Sequence, residues 1–345
     1  MKSESGMPLR CGVRTAGDRL PSRHTLPARP PGNGHGERRA AGIAGWLVAL
    51  AAIVATPVAA APAPSGAARP ITIGESHSIN SAALGQLRVI NVVLPAGYAK
   101  DPDKRYPVLY LIDGGVEQDL LHVAGVVQLG ALWGRSAEAI VVGIETKDRR
   151  RELTGPTADP ELLGRYPTAG SSALFRKFIR EDVKPLIARN YRTSGQDAVL
   201  GESLAGLFIV ETYLREPTLF GAYAAIDPSL WWDREALSLS APGRIAELQR
   251  TRPIYLAQAR EQSETPAAMD RVVGALKGSN VGWCMASRPD LGHATIYQQL
   301  TPEAVQFLLP PREAPPVQLG FVVKCTQRSA QQAGRLPSGK AGERP

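Results

Sequence analysis

The stretch DAVLGESLAGLFIVET, Asp197–Thr212, decides how the rest of the chain is read. It divides into a short apolar strand over Ala198–Leu200, a tight Gly-Glu-Ser-Leu-Ala turn, and a helix. Leu204, Leu207, Phe208 and Val210 follow the turn at helical spacing. Ser203 sits at the apex. A Gly-x-Ser-x-Gly turn between a strand and a helix is a nucleophile elbow, which lifts a serine hydroxyl clear of the sheet edge. Small residues are needed because the turn is strained and the helix packs close behind it. Here Ala205 holds the second glycine position and Gly206 follows. The competing reading is a serine N-cap on an ordinary helix. The strand before the turn and the helix after it favour the elbow.

Outward from the elbow, strands and helices alternate. Ile71–Pro95 reads as two strands around a turn at Asn80–Gly85. YPVLYLI, Tyr106–Ile112, and AEAIVVGI, Ala137–Ile144, are continuous apolar runs suited to strands buried on both faces. Val116–Gly134 between them reads as a helix. A polar loop follows from Thr146 to Gly170, long enough to carry binding residues. Ser171–Tyr191 is an amphipathic helix, with Pro185 kinking it or starting its last section. Beyond the elbow come strands at Tyr223–Asp227, Pro253–Ala259 and Val281–Ser287. Helices are expected over Arg234–Arg250, interrupted at Pro242, over Pro266–Leu276 and over Ala294–Leu309. This alternation predicts an α/β fold: a mostly parallel central sheet with helices on both faces. Ligands gather at the carboxyl ends of such strands. Gly114, Ser203, Asp227, Glu261 and His293 all fall just after a strand.

The 345-residue chain has room for one large α/β domain, placed here at residues 71–312. Of its net charge of +8, +5 lies in residues 1–61, so the folded part carries no basic stripe and nucleic-acid binding is not expected. Residues 1–40 are rich in Arg, Pro and Gly and read as a disordered basic extension. Arg38 and Arg39 then precede the apolar run Ala41–Ala61, which ends in small residues. That order reads as a secretory signal peptide, with an uncleaved anchor as the alternative. The expectation is an exported protein, periplasmic or secreted, with no stable membrane insertion after signal removal. Residues 62–70 read as a linker and 313–345 as a tail, disordered from Thr326. Cys11, Cys284 and Cys325 show no metal-ligand spacing, so no metal or cofactor is expected. Cys284 and Cys325 could pair in an oxidising compartment or remain free thiols.

A serine hydroxyl needs a base within hydrogen-bond reach, and the base needs an orienting acceptor. His77 falls in the first strand region and His122 in a helix, so both read as structural. His293, in a Gly-His loop after the last strand, fits the chain order nucleophile, acid, histidine. The acid is expected after the Pro253–Ala259 strand, at Glu261, with Glu264 and Asp290 as alternatives. The developing oxyanion calls for two backbone N–H donors: one from Leu204, the other from the Gly114–Gly115 turn.

Taken together, YPVLYLIDGG, AIVVGIE…RRRELT, FIREDVKP, GESLAGLF, DPSLWW and LGH resemble the putative-esterase family of the α/β-hydrolase superfamily. Its siderophore-esterase side is the nearest in pattern, with S-formylglutathione hydrolase and the mycolyltransferases more distant. The resemblance spans about Ile71–Leu309. It implies an α/β-hydrolase fold, Ser203 as nucleophile, His293 as base, and an acid, where one is used, at Arg260-Glu261. Some members resemble a Ser–His dyad. It also implies that Arg150 and Arg151 meet an acidic or catecholate substrate and that Trp231 and Trp232 line an acyl or aromatic pocket. The expected activity is hydrolysis of a small-molecule ester through an acyl-enzyme. An acyltransferase and a non-catalytic binding protein on the same fold are the rivals.

Overall fold

The computed structural model describes residues 68–248, 252–260, 266–313, 316–319, 323 and 327–328. The chain divides after Ala68, and the unit from Arg69 onward carries the fold. The basic extension, the signal-like run and most of the linker lie outside the described residues.

The sheet begins with β1 (Glu75–Ser81), β2 (Gln86–Val93) and β3 (Tyr106–Ile112). Helix α1 (Leu120–Leu132) leads to β4 (Ile140–Ile144). Four short helices follow: α2 (Arg149–Leu153), α3 (Pro160–Arg165), α4 (Ser172–Phe178) and α5 (Lys184–Asn190). Then come β5 (Thr193–Glu202), α6 (Leu204–Arg215), β6 (Tyr223–Ile226), α7 (Ala236–Ala246) and β7 (Ile254–Ala259). The order closes with α8 (Pro266–Lys277), β8 (Trp283–Arg288), α9 (His293–Leu308) and β9 (Gln327–Arg328). Among the described residues the strands form one sheet in the order β1-β2-β4-β3-β5-β6-β7-β8-β9. β1–β2, β2–β4 and β8–β9 pair antiparallel, and every pairing from β4 through β8 is parallel.

The apolar runs behave as their composition requires. Successive side chains of a strand face opposite ways. Leu109 and Leu111 of β3 therefore join one core layer with α1 and α9, while Val108, Tyr110 and Ile112 join the other with α4 to α8. Both faces are covered, which is why these strands read as unbroken apolar segments.

Four local expectations change. The long loop holds α2 and α3, whose N-termini are capped by Asp148 and Asp159 accepting from Arg151 N and Glu161 N. The amphipathic segment opens into a wider π turn at Ile179–Val183 between α4 and α5. Pro185 lies in the first turn of α5 and has no N–H to give, so the wide turn absorbs the missing bond. Helix α7 runs through Pro242 without interruption. The tail, expected to be disordered from Thr326, supplies β9, which pairs Cys284 with Arg328 and Met285 with Gln327. Buried Cys284 is disulfide-bonded, and both other cysteines, Cys11 and Cys325, lie outside the described residues.

Candidate active site

Three side chains meet at the carboxyl edge of β5, β6 and β8. Ser203 has φ 59° and ψ −118°, backbone that an L-residue adopts only under strain. Its N–H donates to Ile226 O at 3.0 Å and its C=O accepts from Ser229 N at 3.0 Å, so β6 and the turn after it hold the strained residue in place. A Cβ on Gly201 would lie 2.7 Å from the Ala205 Cβ, so glycine at 201 makes room for alanine at 205. The close helix–strand approach falls instead at Gly206, where a Cβ would lie 3.0 Å from Pro228 Cα.

His293 Nε2 is 3.1 Å from Ser203 Oγ, and His293 Nδ1 is 2.6 Å from Asp227 Oδ2. Asp227 is fully buried at the end of β6, with φ 45°. Its N–H donates to Ala257 O at 2.8 Å, and its Oδ1 accepts from Ala259 N at 2.8 Å. With one carboxylate oxygen pinned by a backbone donor, the other faces the imidazole. A carboxylate on Nδ1 holds the proton there and leaves Nε2 as the acceptor for the serine hydroxyl. The loop carrying His293 is tied back to the end of β7 by Arg260 N donating to Leu291 O at 3.0 Å. That tie carries the histidine across β7 to the serine ninety residues earlier in the chain.

This elbow and its partners sit within a family match. The "Putative esterase" profile covers residues 81–283. The chain belongs to the putative-esterase family. Relatives include the ferri-bacillibactin esterase of Bacillus subtilis, 32% identical over 166 residues, covering 43% of this chain and 56% of that protein. The siderophore triacetylfusarinine C esterase of Aspergillus fumigatus is 26% identical over 144 residues, covering 37% and 45%. The matched stretch thus spans about half the length of these relatives. Among solved structures, a siderophore hydrolase from Aspergillus nidulans superposes with a TM-score of 0.60 at 19% identity, covering 73% of this chain and 100% of its own. An IroE-like serine hydrolase from Shewanella oneidensis gives 0.59 at 24% identity, covering 67% and 78%. These superpositions establish the α/β-hydrolase fold.

Within that fold a carboxylate outside the expected set meets His293. Among the described residues, the carboxylate on His293 is Asp227, in the turn directly after the strand next to the elbow strand. Glu261 and Glu264, expected there, lie outside the described residues. Asp290 is turned away in an exposed ion pair with Arg288 at 2.6 Å, which holds its carboxyl down at about 2. His77 hydrogen-bonds Tyr191 at 2.5 Å on the edge strand, and His122 packs on Tyr297, as structural histidines would.

A cleft of about 340 Å³ opens on Ser203 and His293 and is lined by Asp113, Gln118, Asp119, Arg149 and Glu202. Its arginine is Arg149, which reaches Asp113 Oδ2 at 2.7 Å. Arg151 and Trp231, the expected substrate contacts, do not line it. Arg150 instead stacks 4.3 Å over the Tyr166 ring, and Trp231 lies against buried Trp232, whose Nε1 donates to Gly155 O. Glu202, half-buried beside Ser203, is the residue sequence reasoning passed over. Burial lifts its carboxyl to about 7; Asp119 and Asp227 add repulsion, partly offset by His293 and Arg149. Asp119 is lifted to about 6 by burial and by Asp113. The signal for Glu202 was present in the elbow motif itself, a carboxylate written where the turn must bury one side.

Gly114 also departs from expectation: its N–H donates to Ile144 O at 2.9 Å and extends the β3–β4 ladder. The next N–H, Gly115, donates to Gln118 Oε1 at 2.9 Å. Leu204 opens α6 directly after Ser203, so its N–H lies in the first turn of the helix. Among the described residues no group of His, Cys, Asp and Glu could hold a metal ion, and no helix is long and apolar enough to cross a membrane.

Proposed function

We propose that the protein is a serine carboxylic-ester hydrolase working through an acyl-enzyme, with a siderophore-type ester as substrate. The observation that carries the reading is the continuous relay Asp227–His293–Ser203, at 2.6 and 3.1 Å, on a strained elbow. Ser203 Oγ attacks the ester carbonyl while its proton passes to His293 Nε2. Asp227 keeps its charge and stabilises the imidazolium; it does not take the proton. The tetrahedral intermediate places its oxyanion at Leu204 N–H. Its collapse breaks the bond to the alkoxy group, which leaves with the proton from His293. Water then repeats the sequence on the acyl-enzyme: His293 removes its proton, the carboxylic acid departs and Ser203 recovers its hydrogen.

The siderophore class rests on the names of the relatives, which act on ferri-bacillibactin and triacetylfusarinine C. Export to an oxidising compartment is part of the proposal. It is supported by the basic–apolar–small order of residues 38–61 and by the disulfide at Cys284. Fluorophosphonate labelling followed by peptide mapping is the direct test of the chemistry. One adduct on Ser203 is expected, with loss of p-nitrophenyl butyrate hydrolysis in Ser203→Ala at a nearly unchanged melting temperature. Equal hydrolysis by the variant removes Ser203 as nucleophile.

A further inference from the structure

The loop after β3, expected to carry the second oxyanion donor, is closed by one of its own side chains. Asp113, at φ 60°, turns the chain out of β3, and Asp119 N–H donates back to Asp113 O at 3.0 Å. Inside this ring the Gly114–Gly115 peptide is clamped. Gly114 O accepts from Asn91 Nδ2 at 3.0 Å, and Ser76 Oγ, donating to Asn91 Oδ1 at 2.6 Å, sets which way that buried amide faces. A Cβ on Gly114 would lie 2.2 Å from Gly143 Cα, so the peptide is pressed onto β4. A trans peptide points its C=O and N–H in opposite directions. With the carbonyl fixed on Asn91, Gly115 N–H has one direction left, and Gln118 Oε1 accepts from it there. The Gln118 side chain is moored at its far end, Nε2 donating to Thr146 O and Oγ1, both at 3.1 Å. Gln118 lines the same cleft as Ser203 and His293.

We propose that Gln118 is a positioning residue that keeps Gly115 N–H occupied in the free protein and releases it to the substrate's oxyanion. The inference rests on the serine-hydrolase reading. An amide oxygen and an ester carbonyl oxygen are both neutral acceptors, so the ester gains little by displacing Gln118. A tetrahedral oxyanion is charged, and hydrogen bonds to a charged acceptor are roughly twice as strong. The N–H therefore goes to the transition state in preference to the bound ester, which is the differential binding that catalysis requires. The cost is one hydrogen bond broken in each turnover. Removing the competitor should raise the rate by about threefold to tenfold, the ordinary net worth of such a bond.

Two measurements decide it. Gln118→Met keeps length and loses the acceptor. It should label with fluorophosphonate, and hydrolyse p-nitrophenyl butyrate at low substrate, about threefold to tenfold faster than the natural protein, with KM falling more than kcat. Loss of the bonds to Thr146 should lower its melting temperature at the same time. A merely structural glutamine predicts the opposite sign for the rate, so an unchanged or slower rate in the folded variant overturns the proposal. The second measurement needs no variant. In a crystal structure of the natural protein phosphonylated at Ser203, Gly115 N should lie within hydrogen-bond distance of the phosphonyl oxygen, with Gln118 Oε1 displaced. An adduct in which Gly115 still bonds Gln118 sinks this inference and leaves the hydrolase reading standing. Failure of the natural protein to label at Ser203 sinks both.

Discussion

Replacing Asp227 with asparagine should abolish turnover by reversing the histidine tautomer, and the structure fixes the direction of that reversal. One oxygen of Asp227 accepts from Ala259 N–H at 2.8 Å, while the other faces His293 Nδ1 at 2.6 Å. Asparagine is isosteric but carries one oxygen and one NH₂. The buried backbone donor takes the oxygen, because two donors facing each other would leave both unpaired. The NH₂ is then turned toward Nδ1, which must become an acceptor. The ring proton moves to Nε2, and the nitrogen 3.1 Å from Ser203 Oγ can no longer receive the serine's proton. A loss of about 10⁴-fold in kcat is expected for a reversed tautomer, roughly 5.5 kcal/mol of transition-state stabilisation. KM and melting temperature should move little, since shape and the Ala259 bond are kept. The assay is steady-state hydrolysis of p-nitrophenyl butyrate beside Glu261→Gln under identical conditions. If Asp227→Asn keeps more than a tenth of the activity while Glu261→Gln loses it, the orienting acid belongs to the loop after β7 and the reasoning is refuted.

Three further outcomes follow from the same geometry. Arg88 is fully buried and grips Glu152 at 2.6 and 2.9 Å; Arg88→Met leaves that carboxylate buried without its partner. Calorimetry should show a loss of about 3–5 kcal/mol, a drop on the order of 10 °C in a domain of this size. Glu202, raised to about 7, holds its proton more firmly folded than unfolded. Stability on its account is therefore greatest below the ordinary glutamate range and declines as pH rises toward 7. Glu202→Gln should melt above the natural protein at pH 8 and match it at pH 4, and parallel melting curves across that range would contradict the assignment. Gly114→Ala forces a methyl group to within 2.2 Å of Gly143 Cα. It should cost about 1–3 kcal/mol by chemical denaturation and impair hydrolysis by shifting the loop that follows β3.

Much of this was legible in the chain because the signals are local. Seven apolar residues from Tyr106 to Ile112 cannot be a surface strand, and Gly201 to Gly206 can hardly be anything but a tight strand-to-helix turn. Proline chemistry is local too, yet its consequence was only half readable. Pro185 began a new helical section through a π turn, while Pro242 was absorbed within α7 by the packing around it.

Which described carboxylate reaches His293 lay beyond local signals. Asp227 and Glu261 both follow a strand and both fall between Ser203 and His293 in the chain, so chain order alone ranks neither. What brings Asp227 to His293 is lateral: β6 lies directly beside β5, and the Ala259 N–H reaches across from β7 to hold one oxygen of Asp227. The Gly114–Gly115 loop tells the same story. A Gly-Gly pair announces a close approach, but the direction of the Gly115 N–H depends on Asn91, twenty-three residues before Gly114, fixing the Gly114 carbonyl. Periodicity and turn chemistry act through neighbours along the chain and are written in it. The partner of a particular oxygen or proton is set by strand order and register, which exist only once the sheet has formed.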